Sequence, residues 1–169
     1  RKGMPPELAG QMPILKELLV CLGYQLITCE GYEADDILGA FAKYCKENHC
    51  ECVIATGDRD SLQLVSDNVT VRIAKTKFGK PESEFYDKAK IMEVYGVTPL
   101  QLIDIKALQG DSSDNIPGVK GIGEKIAGEL ISKFESIKNI YENESEEDAI
   151  EKIRKMKTKV EEEFTNLYY

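Results

Sequence analysis

The chain has no run of apolar residues approaching the ~18 that a membrane span needs, and its opening, RKGMPPELAG, has no apolar core of the kind a secretory signal carries. No membrane partner is expected. An initiating Met is also lacking, so a fragment or a processed chain is expected. The cysteines form no framework. There are five, Cys21, Cys29, Cys45, Cys50 and Cys52, and an odd, irregular set argues for reduced thiols in a cytosol-like compartment. A zinc site at Cys50-Glu51-Cys52 with His49 beside it is disfavoured, because the spacing is not C-x-x-C and no second pair matches. His49 is the only histidine and reads as a surface residue. Positive charge is short as well. Lys and Arg number 22 against 30 Asp and Glu, a net charge of −8, which argues against a general nucleic-acid coat. That exclusion weakens if the acids gather around divalent cations, since the charge a ligand meets then includes the metals.

What is present is enough to fold. The 169 residues, 42% of them hydrophobic, suit one domain or a domain with a small appendage. A chain of this size buries roughly 70% of the surface its unfolded form exposes. Residues 13–23, PILKELLVCLG, place Ile14, Leu15, Leu18, Leu19 and Leu22 on one helical face, with Gly23 as a stop. QLIT (25–28) reads as a short strand. YEADDILGAFAKYCKEN repeats the helical pattern through Ile37, Leu38, Phe41, Ala42 and Cys45, and CVIAT (52–56) and VTVRIA (69–74) read as buried strands. Such alternation points to a parallel α/β sheet. KTKFGKPESEF reads as a loop or hairpin, YDKAKIMEVYG as a helix ending at Gly96, and Thr98-Pro99 as the N-cap and first position of a helix that Gly110 stops. The chain therefore divides near residue 80, into an α/β part (1–80) and a helical part (81–169). Residues 142–163 are dense in charge, and Asp148 with Lys152 and Glu151 with Lys155 are spaced for an exposed helix.

Three short segments concentrate carboxylates. In GYEADD, Glu33, Asp35 and Asp36 open a helix. One acid there is explained by the helix dipole, worth ~0.3–1 kcal/mol, but three within four residues repel one another. In ATGDRD, Asp58 and Asp60 follow an apolar strand, at the carboxyl end where open parallel sheets place ligands; turn chemistry is the competing reading. In GDSSDN, Asp111 and Asp114 follow a helix stop. If the loops converge, seven carboxylates must raise one another's pKa values or recruit cations. Hard oxygen donors select Mg²⁺, Mn²⁺ or Ca²⁺, and no EF-hand pattern is present. Two Mg²⁺ ions ~4 Å apart would activate a water and stabilise the leaving oxygen of a phosphodiester.

PGVKGIGEKIA, directly after Asp111 and Asp114, resembles a helix–hairpin–helix turn. Gly118, Gly121 and Gly123 are expected to supply positive φ and close approach to a ligand. Backbone amides at a helix N-terminus favour an anion, and Lys120 and Lys125 add charge there. The expected ligand is a sugar–phosphate backbone read without sequence preference. It is not a Walker loop, since no Ser or Thr follows the Lys. A plain αα-hairpin turn is the alternative.

GYEADD, TGDRDSLQLV, GDSSDNIPGVKGIGEKIA and the opening RKGMPPELAGQMP together resemble the 5′-nuclease family, in particular the 5′–3′ exonuclease domains of bacterial DNA polymerases I, related to flap endonucleases. The likeness runs from residue 1 to about residue 140. It implies a PIN-like parallel-sheet core followed by a helix–three-turn–helix DNA-binding element, the turn lying at 116–127. It implies a Mg²⁺ (or Mn²⁺) nuclease using two ions, with Glu33, Asp35, Asp36, Asp58, Asp60, Asp111 and Asp114 as the metal site. Asp58, Asp60, Asp111 and Asp114 are then nearest the chemistry. Arg1, Gly118, Lys120, Gly121, Gly123 and Lys125 would contact DNA, with K⁺ on the turn's carbonyls. DNA bearing 5′ flaps, nicks or ends is the implied substrate, in replication and repair. A polymerase domain in the same parent chain and a bacterial cytoplasmic, nucleoid-associated location are also implied. The chain departs from the family in lacking its N-terminal strand with a metal-binding Asp, the second acidic motif and the basic arch. It is expected to be the C-terminal two-thirds of such a domain, and a cleavage-incompetent DNA-binding fragment is the alternative.

Overall fold

The computed structural model describes residues 4–77, 79–112 and 115–142. The charge-dense segment beyond residue 142, with the pairs expected there, lies outside these, as do Arg1 and Asp114. Two compact units divide between Ile37 and Leu38.

The first unit contains α1 (Pro6–Cys21), which Pro5 and Pro6 start and which ends before Gly23 at φ +85°. Prolines suit this position because the first amides of a helix lack partners anyway. The helix begins seven residues earlier than its apolar face suggested and carries Pro13 inside it. The strand expected at 25–28 does not form. Gln25, Leu26, Ile27 and Thr28 are exposed, and none of the strands among the described residues pairs with them. An extended segment becomes a strand only through a ladder partner.

α2 (Ala34–Glu47) leads into the second unit. There β1 (Cys52–Thr56) pairs in parallel with β2 (Val69–Lys77), and β2 pairs antiparallel with β3 (Lys80–Tyr86). Among the described residues the parallel sheet expected from alternation therefore holds for one pair only. Two residues join Lys77 to Lys80, too few for the crossover a parallel neighbour needs, so the chain folds straight back. Val69, Val71 and Ile73 alternate inward with period two, while Arg72 points outward and stacks on Phe85, 5.7 Å from the ring centre. The inward set packs with Ala42, Ile54, Leu62, Val65, Tyr86 and Ile91 in one core. Burying Leu62 alone contributes about 1.5–3 kcal/mol.

α3 (Lys88–Tyr95) is capped by Asp87 and stopped by Gly96 at φ +69°, as expected. α4 (Gln101–Gln109) follows. Its first turn does begin at Thr98, whose amide donates to Gln101 Oε1 at 2.8 Å as in a capping box, but residues 98–101 close with i→i+3 bonds, so the α-ladder starts later. Gly110 ends it at φ +76°. A two-residue ladder of β4 (Gly110–Asp111) and β5 (Ile116–Pro117) leads to α5 (Glu124–Phe134) and α6 (Ile137–Glu142). Val97, Ile105, Leu108, Ile122, Ala127, Leu130, Ile131 and Ile140 form the second core. Tyr95 and Leu102 pack against both cores. Among the described residues no helix is long and apolar enough to cross a membrane.

Candidate active site

β1 ends at Thr56 and delivers Asp58 and Asp60 to its carboxyl end. Asp58 is a structural cap. Its amide donates to Thr56 Oγ1 at 3.0 Å, and its Oδ1 accepts the Asp60 amide at 2.9 Å, starting a 3-10 turn over Arg59–Leu64. The turn-chemistry reading is thus correct for one oxygen of Asp58. Asp60 does something else. Both oxygens of its carboxylate accept from the Lys106 ammonium, Nζ to Oδ1 2.8 Å and Nζ to Oδ2 3.0 Å.

The same ammonium lies 2.9 Å from Asp111 Oδ2, on β4. Asp60 and Asp111 therefore share one cation although 51 residues separate them. The Asp111 side chain is only 12% exposed, against 44% for Asp60 and 37% for Lys106. Hydrogen bonds to Asp60, then to Asp111, hold the Lys106 ammonium well above the ordinary lysine range, against the opposing effect of its partial burial. A cleft of about 280 Å³ opens beside the pair, bordered by Arg59, Gln63, Tyr95 and Gln109. Arg59 reaches the Tyr95 hydroxyl at 3.5 Å, and burial raises the pKa of that phenol.

Glu33, Asp35 and Asp36 stand together and exposed at the start of α2. Asp36 Oδ2 accepts the Glu33 amide at 2.9 Å, the returning half of a capping box, so part of this acid group is explained by helix initiation.

A cation binding between Asp60 and Asp111 fits the chemistry of the pair. Both offer hard carboxylate oxygens, and a lysine ammonium already stands between them as a positive charge in place. Among the described residues, no group of three or more His, Cys, Asp or Glu side chains is arranged to hold a metal ion.

The glycine turn differs from expectation in its backbone. Only Gly121 has positive φ, at +83°; Gly123 is extended at φ −96° and serves as the N-cap of α5. Gly118 is required for close packing rather than for unusual φ: a Cβ there would lie 2.2 Å from the carbonyl carbon of Gln109 and 2.4 Å from the amide nitrogen of Gly110. The Val119 amide donates to the Leu108 carbonyl at 2.7 Å, which ties the turn to the end of α4. Lys120 and Lys125 are exposed on this turn, and among the described residues no side chain caps α5.

Lys106 escapes a reading of the sequence because lysine is a mostly exposed residue type and ordinarily faces solvent. A signal is available: α4, QLIDIKALQ, has only two charged residues, and Lys106 directly follows the buried Ile105.

Two family models match the chain: the N-terminal resolvase-like domain of 5′–3′ exonuclease over residues 1–96, and its C-terminal SAM fold over residues 97–168. The chain is 48% identical over 143 residues to a DNA polymerase I of Caldicellulosiruptor bescii, covering 85% of this chain and 17% of that protein. It is 44% identical over 162 residues to the DNA polymerase I of Bacillus subtilis, covering 96% and 18%. A 5′–3′ exonuclease of Bacillus subtilis is 46% identical over 143 residues, covering 85% of this chain and 47% of that protein. The chain thus spans less than a fifth of the first two and about half of the third. A variant of the T5 5′-exonuclease has a similar fold, with a TM-score of 0.64 at 25% identity, covering 87% of this chain and 60% of that one. The catalytic core of Rad2, solved with a DNA substrate, shares the fold at a TM-score of 0.58 and 23% identity, covering 98% of this chain and 50% of that one.

Proposed function

Because the chain belongs to the 5′–3′ exonuclease family, we propose that it carries part of the active site of a nuclease that hydrolyses DNA phosphodiesters at 5′ flaps, nicks or ends. The observation that carries this reading is the sharing of one cation by Asp60 and Asp111, with the glycine turn following Asp111 within the same short segment. Mg²⁺ or Mn²⁺, as two ions, is the proposed cofactor. When bound, divalent ions supply an activated water and neutralise charge at the phosphodiester.

The chain's own residues set the geometry. Asp60 and Asp111 hold positive charge beside the cleft, and Asp58 fixes the turn that presents Asp60. Glu33, Asp35, Asp36, Asp58 and Asp114 are proposed as further ligands. Lys120, Lys125 and the open amides of α5 hold the duplex through its phosphates, with Gly118, Gly121 and Gly123 shaping the turn, K⁺ on its carbonyls, and Arg1 as a further DNA contact. The proposed setting is a parent protein that includes a polymerase domain, acting in the bacterial cytoplasm on nucleoid DNA.

A second reading is supported by the absence, among the described residues, of any group of three metal-ligating side chains. On that reading the chain holds DNA but does not cut it. Incubation of this chain with a 5′-flap duplex in Mg²⁺, with binding followed in Ca²⁺, separates the two. Cutting supports the nuclease; binding without cutting supports the holding fragment; neither overturns both.

A further inference from the structure

Lys106 is the one residue at the centre of the site that neither its sequence pattern nor the acid ligands account for. It rises from the middle of α4, next to the buried Ile105 and two residues before the buried Leu108, so its backbone is fixed by the second core. Its ammonium takes three short contacts with two carboxylates, 2.8 and 3.0 Å to Asp60 and 2.9 Å to Asp111. The trio carries one net negative charge, and the Asp111 side chain is only 12% exposed.

We propose that Lys106 is the resident counter-ion of this pair, a positioning residue that keeps Asp60 and Asp111 together until a divalent cation takes its place. The inference rests on the proposed metal-dependent reading of the site. The physical argument is exclusion. A divalent cation bound to the same two carboxylates repels an ammonium at hydrogen-bond distance from both, so the two occupancies compete. Lysine suits such an exchange. Its charge is a compact point on a flexible four-carbon stem, able to swing out without moving the helix. At 37% exposure, the side chain already has a path to solvent. The arrangement offsets the repulsion that paired carboxylates otherwise relieve by taking up a proton.

The test uses this chain with Mn²⁺ as the only added ion. Lys106→Met removes the competitor while keeping the apolar stem, and Lys106→Arg keeps the charge. Calorimetric titration is expected to show Lys106→Met binding Mn²⁺ about tenfold more tightly than the wild type, with Lys106→Arg closer to wild type. Thermal unfolding without metal is expected to show Lys106→Met destabilised, with a larger gain on adding Mn²⁺ than the wild type shows. A lysine that only glued the two segments together would leave Mn²⁺ affinity unchanged or weaker in Lys106→Met, and that result would overturn the proposal while leaving the metal site standing.

A second measurement needs no variant. Acylation of wild-type lysines, read by mass spectrometry, is expected to speed up several-fold at Lys106 when Mn²⁺ is added, as its ammonium is released. Lys88, paired with Asp67 away from the site, serves as the unchanged reference. Constant Lys106 labelling under saturating Mn²⁺ would overturn the exchange. If neither the wild type nor Lys106→Met binds Mn²⁺, the metal reading itself fails, and the counter-ion proposal with it.

Discussion

Gly110 and Gly118 lie backbone against backbone: a Cβ built on Gly110 would sit 2.3 Å from the amide nitrogen of Gly118. No rotamer relieves such a clash, because the obstacle is main chain on both sides. Gly118→Ala is therefore expected to destabilise the chain by about 1–3 kcal/mol or more, the range for overpacking, lowering the melting temperature by at least about 3 °C. Gly123→Ala meets nothing within 4 Å at an ordinary φ and is expected to change stability by less than about 1 kcal/mol. Melting curves of the two variants make the comparison, and equal losses would refute the packing role of Gly118.

Asp58 and Asp60 are two residues apart and do different work, which the isosteric amide can separate. Asn caps a helix as well as Asp, so Asp58→Asn is expected to leave stability within about 0.5 kcal/mol of wild type. In the full-length protein, both Asp58→Asn and Asp60→Asn are expected to slow cleavage of a 5′-flap duplex by about 10–100-fold or more, with duplex affinity in Ca²⁺ largely kept. Retained cleavage in either variant removes that residue from the metal site.

Lys120 and Lys125 are proposed to meet phosphate, which has a signature in salt. Every phosphate that a lysine neutralises adds about 0.9 to the slope of log K against log salt. The double change to Ala is expected to weaken duplex binding for all sequences alike and flatten that slope by about 1–2. A slope that does not move means the turn does not touch DNA phosphates.

Cys50 and Cys52 differ in environment within one short segment. Cys50 is exposed, while Cys52 packs against the first core, where burial, reinforced by the neighbouring Cys45, raises its thiol pKa. Thiolate is the reactive form. Iodoacetamide at pH 8 is expected to modify Cys50 first and to reach Cys52 at a comparable rate only under denaturing conditions. Equal labelling of the native chain would mean that β1 is not packed as described.

The parts legible in the sequence are those governed by period and punctuation. CVIAT reads as β1 to the residue, and Gly96 and Gly110 stop their helices. The strand expected at 25–28 fails because alternation cannot tell an extended segment from a paired one. β3 is ambiguous in sequence, loop or hairpin, because a two-residue connection reverses direction without an element to mark it. At the site, turn chemistry and ligand chemistry use the same residues, so Asp36 and Asp58 look alike whether they cap, coordinate or do both. Lys106 is invisible for a different reason. Its meaning comes from Asp60, 46 residues earlier, and no local spacing encodes that contact.

α4 carries Lys106 near its middle, and its carboxyl end supports the glycine turn through the Val119–Leu108 hydrogen bond. From Lys106 to Gly110 is four residues, about 6 Å of rise. A single residue added or removed in that span would rotate everything beyond it by about 100°, carrying Lys106 off the acid pair or the turn off its seat. Between Lys77 and Lys80 β2 returns into β3, and extra residues there lengthen the connection between two strands. Length changes among related chains should therefore crowd into that link and spare the stretch from Lys106 to Gly118.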